Sequence, residues 1–384
     1  MNTAAHVTHA ERLANARRVV IKIGSALFVD QQTGALDRAW LEGVCADVAD
    51  MRGAGKDVVI VSSGAVALGR AELKLSRRLR LEESQAAAAT GQILLAHAYQ
   101  EILRSFGITT AQVLLTLDDS ERRERYLNAS RTLLTLLGYG AVPVINENDT
   151  VATQELRYGD NDRLAARVAQ MVTADCLVLL SDVDGLYTAD PRRDESARYV
   201  DEVTELTREF YDMAGGPGSS HGSGGMKTKL EAARIAVGAG CRMCIATGRV
   251  ARPISVLLKG GKATWFLPSA TPGAARKQWI AGTLKPRGTL SVDAGAERAL
   301  VSGRSLLPAG VTAVDGPFGR GDAVSVVAAD GREIARGLSA YPADEAALIA
   351  GRRSGDIQQI LGYSGGDEII HRDDLVLSGT KQQS

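Results

Sequence analysis

The chain has 384 residues, 45% of them apolar and 23% charged, with 45 Lys and Arg against 45 Asp and Glu. That length allows two domains, each with its own core. A formal net charge of zero argues against general affinity for nucleic acid or an anionic membrane, so function has to come from local sites. The opening "MNTAAHVTHAER" lacks the apolar core of a signal peptide, and no later run of about 18 apolar residues occurs. A cytoplasmic protein is expected, with residues 1–16 a disordered extension that carries His6 and His9 outside any site.

Short β-rich runs then alternate with longer amphipathic ones. "RRVVIKIG" leads to a helix from Asp37 to about Arg52, "DVVIVSSG" to a long Ala-rich helix from Glu83 to Phe106, and "TTAQVLLT" to a helix near 124–137. "AVPVINEN", a helix after Asp162, "CLVLLSDVDG" and "CRMCIATG" continue the series. Strands apolar on both faces and separated by helices predict a mainly parallel sheet covered on both sides, an α/β three-layer sandwich. From Leu284 onward short apolar runs alternate with Gly-rich turns, which predicts a small, mostly β, barrel-like domain. The expected boundaries are a catalytic domain at 17–275, a linker at 276–284, the small domain at 285–375 and a tail at 376–384.

Four cysteines do not make a disulfide framework. Cys241 and Cys244 read as small thiols on a buried strand, with no second pair to complete a zinc site. No metal held by the protein alone is expected, and the compartment is read as reducing.

Polar residues gather at the ends of the first, second, fourth and fifth strands: Lys22, Gly24 and Ser25; Ser62 to Gly64; Asn146 to Asp149; Ser181 to Asp184. Ligands of open α/β sheets bind beyond these carboxyl ends. A lysine at a strand end is ordinarily solvated, and a turn accounts for one or two such clusters; four of one chemical character favour a site. "RYGDNDRLAA" offers three N-cap candidates in a row where one suffices. "GSGGMKTK" fails both the P-loop and the dinucleotide pattern. Apolar residues at Met226, Leu230, Ala233 and Val237 nevertheless start a helix there, whose first-turn amides suit an anion. Lys227 and Lys229 sit in that first turn against the helix dipole, a disadvantage that a nucleotide phosphate would reverse.

The motifs "VVIKIGSALF", "VIVSSGAVALG", "VPVINENDTVAT", "GDNDRLAA", "LLSDVDGLYTADP" and "GSGGMKTK" occur in one order. They resemble the glutamate 5-kinases of the amino acid kinase superfamily. The tail, with "LLPAGV", "RGDAVSV" and "ILGY", resembles their PUA domain. The resemblance spans about residues 17–375. It implies the amino acid kinase fold and transfer of the ATP γ-phosphoryl to the side-chain carboxylate of L-glutamate, in proline biosynthesis, with Mg2+ bridging the phosphates. It implies catalytic roles for Lys22, Lys229 and Asp162, with Asp162 holding the lysines. Glutamate would be bound by Ser63, Asp149 and Asn161. ATP would be bound by Lys22, Ser181, Asp182 and the run Ser223, Gly224, Gly225, Met226, Lys227, Thr228 and Lys229. Feedback inhibition by proline and a homodimer or homotetramer are implied too. Gly24-Ser25-Ala26 stands where the family often has Gly-Thr-Ser, and Ser62 and Ser223 stand where it often has threonine. A PUA-like tail raises RNA binding as an alternative, as does a related kinase with another acceptor. From Leu284 to Ser384, eleven Lys and Arg face thirteen Asp and Glu, a net of −2, which argues against RNA.

Overall fold

The computed structural model describes residues 8–30, 33–76, 78–151, 161–214, 225–283, 285–363 and 365–378. These residues form two compact units, divided between Pro272 and Gly273.

The first unit is built on an eight-stranded sheet. Its strands are β1 (Arg18–Ile23), β2 (Asp57–Ser62), β3 (Thr110–Leu115), β4 (Val142–Glu147) and β5 (Cys176–Ser181), then β8 (Glu202–Val203), β9 (Arg242–Thr247) and β10 (Ala263–Phe266). A two-stranded hairpin, β6 (Leu186–Tyr187) and β7 (Tyr199–Val200), stands apart from it. The order in the sheet is β3-β4-β2-β1-β5-β9-β10-β8. All pairings are parallel except β9 with β10. In β5 every residue is buried, and in β1 and β2 all but the first. This explains the unbroken apolar runs: helices cover both faces, so neither face needs polar residues. The expected α/β fold with a mainly parallel sheet is the fold the chain adopts.

Two expectations change. Within the supposed extension, His9–Ala14 is a helix, started by a Thr8–Glu11 capping box, and Leu13 is wholly buried in the core. Arg12 meets Glu202 at 2.6 Å and His9 meets Asp201 at 3.3 Å. The signal was in the sequence, since Thr8-His-Ala-Glu11 is a capping box ahead of an apolar residue. The supposed linker 276–284 falls largely within another helix, Pro272–Thr283. Cys241 and Cys244 are buried, with Cys244 on β9 as a strand residue.

The second unit holds a five-stranded sheet in the order β12-β11-β13-β14-β15. These strands are β11 (Gly288–Val292), β12 (Val311–Asp315), β13 (Ala323–Val327), β14 (Glu333–Leu338) and β15 (Leu375–Leu377). Leu290, Val324, Val326, Tyr341, Ile349 and Ile369 share its core with short helices. Among the described residues of the chain, no helix is long and apolar enough to cross a membrane.

Candidate active site

Register places the site. Lys22 lies beside Val61 on one side and Leu179 on the other, and these neighbour Ile145 and Ile245 in turn. Five strands therefore end almost level, and the polar residues that follow them share one rim. Chain progression reverses about β1, with β2 and β4 on one flank and β5 and β9 on the other. Such a switch point opens a crevice at the strand ends. A cleft of about 1610 Å³ lies there, bordered by Lys22, Ser63, Asp149, Asn161, Ser181 and Lys229 among others.

Asp162 is the centre of charge. It stands in the first turn of the helix Asn161–Met171 and is fully buried. Lys22 Nζ lies 2.6 Å from one carboxylate oxygen and Lys229 Nζ 3.0 Å from the other, and both lysines are buried. Thr228 Oγ1 donates to the same oxygen as Lys229 at 3.1 Å. Burial alone would raise the Asp162 carboxyl; the two ammonium groups outweigh it and hold the pKa at about 2. Lys229 opens the helix Met226–Gly238, where the dipole disfavours a cation. Asp162 offsets that disadvantage within the protein, so a bound phosphate is not needed to explain how Lys229 is tolerated. Two cations around one carboxylate still leave the cluster with an excess positive charge.

On one side of Lys22 are the residues expected to bind the acceptor. Gly64, at φ 114°, turns the chain after Ser63 into the helix Ala65–Glu72. The Ser63 hydroxyl accepts from Ser25 N at 3.0 Å and donates to Ile23 O at 3.2 Å, which ties the ends of β1 and β2 together. Asn161 Nδ2 donates to Ser62 O at 3.2 Å and to Asn146 Oδ1 at 3.0 Å. Asn161 Oδ1 is buried and has no hydrogen-bond partner among the described residues. Asp149 is part-buried, and that burial pushes its carboxyl up to about 6.

On the other side are the residues expected to bind the nucleotide. Ser181 donates to Asp182 Oδ1 at 3.1 Å, and Gly225 and Met226 border the cleft. Gly225 caps its helix without a side chain, and a methyl group there would meet no atom of the described residues within 4 Å. Lys227 is exposed, and Thr228 spends its hydroxyl on Asp162 and on Gly225 O at 2.8 Å; neither residue borders the cleft. Ser223 and Gly224 lie outside the described residues. The sequence reading missed Arg249, whose Nε donates to Asp182 O at 3.2 Å, and Lys262. Lys262 Nζ meets Asp184 Oδ2 and Tyr187 Oη, each at 2.7 Å, and so braces the cleft-lining segment before the β6–β7 hairpin. Lys262 carries no local motif, because its partners come from 75 and 78 residues away.

Comparison with known proteins gives this geometry a family. A model of the amino acid kinase family matches residues 17–247. The glutamate 5-kinase of Paramagnetospirillum magneticum is 62% identical over 367 residues, 96% of this chain and 99% of that protein. The chain belongs to the glutamate 5-kinase branch of the amino acid kinase family. The glutamate 5-kinase of Rhodospirillum rubrum is 60% identical over 359 residues, covering 93% of this chain and 96% of that protein. Glutamate 5-kinase 1 of Rhizobium meliloti is 58% identical over 367 residues, covering 95% and 93% respectively. A PUA domain model matches residues 288–361, within the second unit. In this amino acid kinase the family match ends at the last residue of β9, while the compact unit continues through β10 to Pro272.

Proposed function

We propose that this chain transfers the γ-phosphoryl group of ATP to the side-chain carboxylate of L-glutamate, giving L-glutamyl 5-phosphate and ADP, the first step of proline biosynthesis. The observation that carries the reading is the buried Lys22–Asp162–Lys229 cluster at the rim of the sheet. Phosphoryl transfer asks little covalent chemistry of a protein; it asks for fixed positive charge around the moving group and for in-line positioning. Asp162 holds both ammonium groups in place and leaves the net positive charge for the phosphoryl oxygens. A γ-carboxylate oxygen of glutamate forms the new bond to phosphorus as the bond to the β,γ-bridging oxygen breaks, and ADP leaves with that electron pair.

Lys22 and Lys229 stabilise the transferring group from opposite sides of Asp162. Asp149 and Asn161 receive the α-ammonium of glutamate, and Ser63 keeps the β1 and β2 ends at the spacing the acceptor needs. Ser181, Asp182 and the residues from Ser223 to Lys229 take the nucleotide, with Gly225 leaving space for a phosphate. Mg2+ comes with ATP. The ion would add to the positive charge that Lys22 and Lys229 present to the phosphates.

An ATP-dependent hydroxamate assay across glutamate, aspartate and N-acetylglutamate tests this reading; product with glutamate alone is expected, and preference for another acceptor would overturn it. The second unit, whose Lys and Arg only balance its Asp and Glu, has a structural or regulatory role in this scheme, and tight binding of structured RNA at physiological salt in a filter assay would contradict that. A homodimer or homotetramer inhibited by proline extends the family reading; sedimentation and kinetics with added proline check both.

A further inference from the structure

The polar atoms behind Asn161 form a chain that reaches well beyond the cleft. Helix Ala65–Glu72 crosses the 25-residue helix Leu81–Ser105 at two glycines. A methyl group on Gly91 would lie 1.9 Å from Ala65 O, and one on Gly69 would lie 1.8 Å from Ala87 O. Only glycine permits that approach, and it brings the residue after Gly91 close behind the Ser62–Gly64 turn. That residue is Gln92, buried at 8% exposure. Gln92 Oε1 accepts from Asn146 Nδ2 at 2.8 Å, and Asn146 Oδ1 accepts from Asn161 Nδ2 at 3.0 Å.

We infer that Gln92 is a positioning residue for the acceptor substrate: through Asn146 it fixes the amide of Asn161 so that Oδ1 is the atom left for the substrate's amino group. This rests on the function proposed above. A backbone carbonyl only accepts, so the Asn161 atom 3.2 Å from Ser62 O has to be its nitrogen. Both hydrogens of that nitrogen are then used, on Ser62 O and Asn146 Oδ1. An inverted Asn161 amide would set oxygen against oxygen at both places. An inverted Asn146 would set its nitrogen against that of Asn161, and Gln92 Oε1 opposes this by holding Asn146 Nδ2. What remains is Asn161 Oδ1, buried and without a partner among the described residues. A buried acceptor left without a donor is costly, and a donor on the substrate removes the cost. Asp149, part-buried on the same rim, is a second acceptor when ionised. Two acceptors on one rim suit a protonated amine.

The test uses the full chain with Gln92→Met, which keeps shape but loses the acceptor, and Gln92→Glu, which keeps an acceptor oxygen. Hydroxamate kinetics are measured with glutamate and with glutarate, which lacks the amino group. Gln92→Met should raise KM for glutamate roughly three- to ten-fold, the range that loss of one neutral hydrogen bond gives. Its kcat and KM for ATP should stay within about two-fold, and its preference for glutamate over glutarate should narrow by the same factor as KM rises. Gln92→Glu should restore most of that preference. An unchanged glutamate-to-glutarate preference in Gln92→Met, or parallel losses toward ATP and glutamate with a lowered thermal midpoint, would overturn the relay. Those outcomes leave the proposed function standing if the unaltered chain phosphorylates glutamate; failure of the unaltered chain to do so sinks both.

Discussion

The two ends of the large sheet both carry charge, and they balance it differently. At the amino end, Arg18 meets Asp57 at 2.9 Å, and Asp175 accepts from the amides of Arg17 and Arg18 at 2.8 and 2.9 Å. Lys56 donates to the carbonyls of Ala14 and Ala16, and Arg52 donates to those of Lys56 and Gly140. Arg18, Lys56 and Arg52 each have an acceptor in the protein. At the carboxyl end, two buried ammonium groups share one carboxylate, Asn161 Oδ1 lacks a partner among the described residues, and Asp149 is pushed up to about 6 by burial. Satisfied groups hold the first end together. At the second, two cations meet on one carboxylate and a buried acceptor has no partner among the described residues, a pattern that suits a ligand site.

The largest expected effect that sharpens this contrast is on turnover. Lys229→Ala should lower kcat by about 10²–10³-fold, the scale for removing a donor to developing charge, with a much smaller change in KM for glutamate. Near-normal steady-state turnover would remove the functional meaning of the surplus charge.

Asp162→Asn leaves both lysines buried without their counter-ion and should cost about 3–5 kcal/mol in urea unfolding at neutral pH. The carboxyl of Asp162 is held at about 2, below the ordinary 3.8. The stability it contributes is therefore complete above the ordinary value and lost as pH falls through that interval. The variant should lack this acid-dependent loss; an identical acid profile in both proteins would show that the cluster does not stabilise the fold.

Asp149 has the opposite sign. Its carboxyl ionises near pH 6 in the folded chain, so glutamate affinity, measured by titration calorimetry, should weaken as pH drops through 6. Asp149→Asn should bind glutamate about ten-fold more weakly at pH 8 and lose that pH dependence. Because the fold favours the neutral form, ionisation above pH 6 costs stability, and the same substitution should raise the thermal midpoint at pH 8. A lowered midpoint would assign Asp149 to holding the fold.

The smallest effect on catalysis belongs to the amino end. Arg18→Ala should cost about 1–3 kcal/mol of stability and leave kcat within about two-fold, because its partners are Asp57 and the backbone around Val172. A kcat loss comparable to that of Lys229→Ala would erase the distinction between the two ends.

The strands were legible because burial on both faces writes itself as continuous apolar runs, as in "RVVIKI" and "CLVLLS". The helix at Met226 was legible from the spacing of its apolar residues, and the rim from polar clusters at strand ends. The helix His9–Ala14 was missed although its capping box was visible, because six residues give too short a period to read. Lys262 and Gln92 left no local trace.

Sequence by itself determined the alternation of strand and helix, the clustering of polar residues at strand ends and, through its motifs, the family resemblance. Those are local properties, set by burial periodicity and by which residue types a segment carries. Only the tertiary structure decided that Lys22 and Lys229 take different oxygens of Asp162, that Thr228 serves the same carboxylate, and that Gln92 and Asn161 are joined through Asn146. The physical reason is distance along the chain. Partners 54 residues apart (Gln92 and Asn146), 67 apart (Asp162 and Lys229) and 162 − 22 = 140 apart (Lys22 and Asp162) are joined by sheet register and helix crossing, and only then does charge or hydrogen bonding select between them.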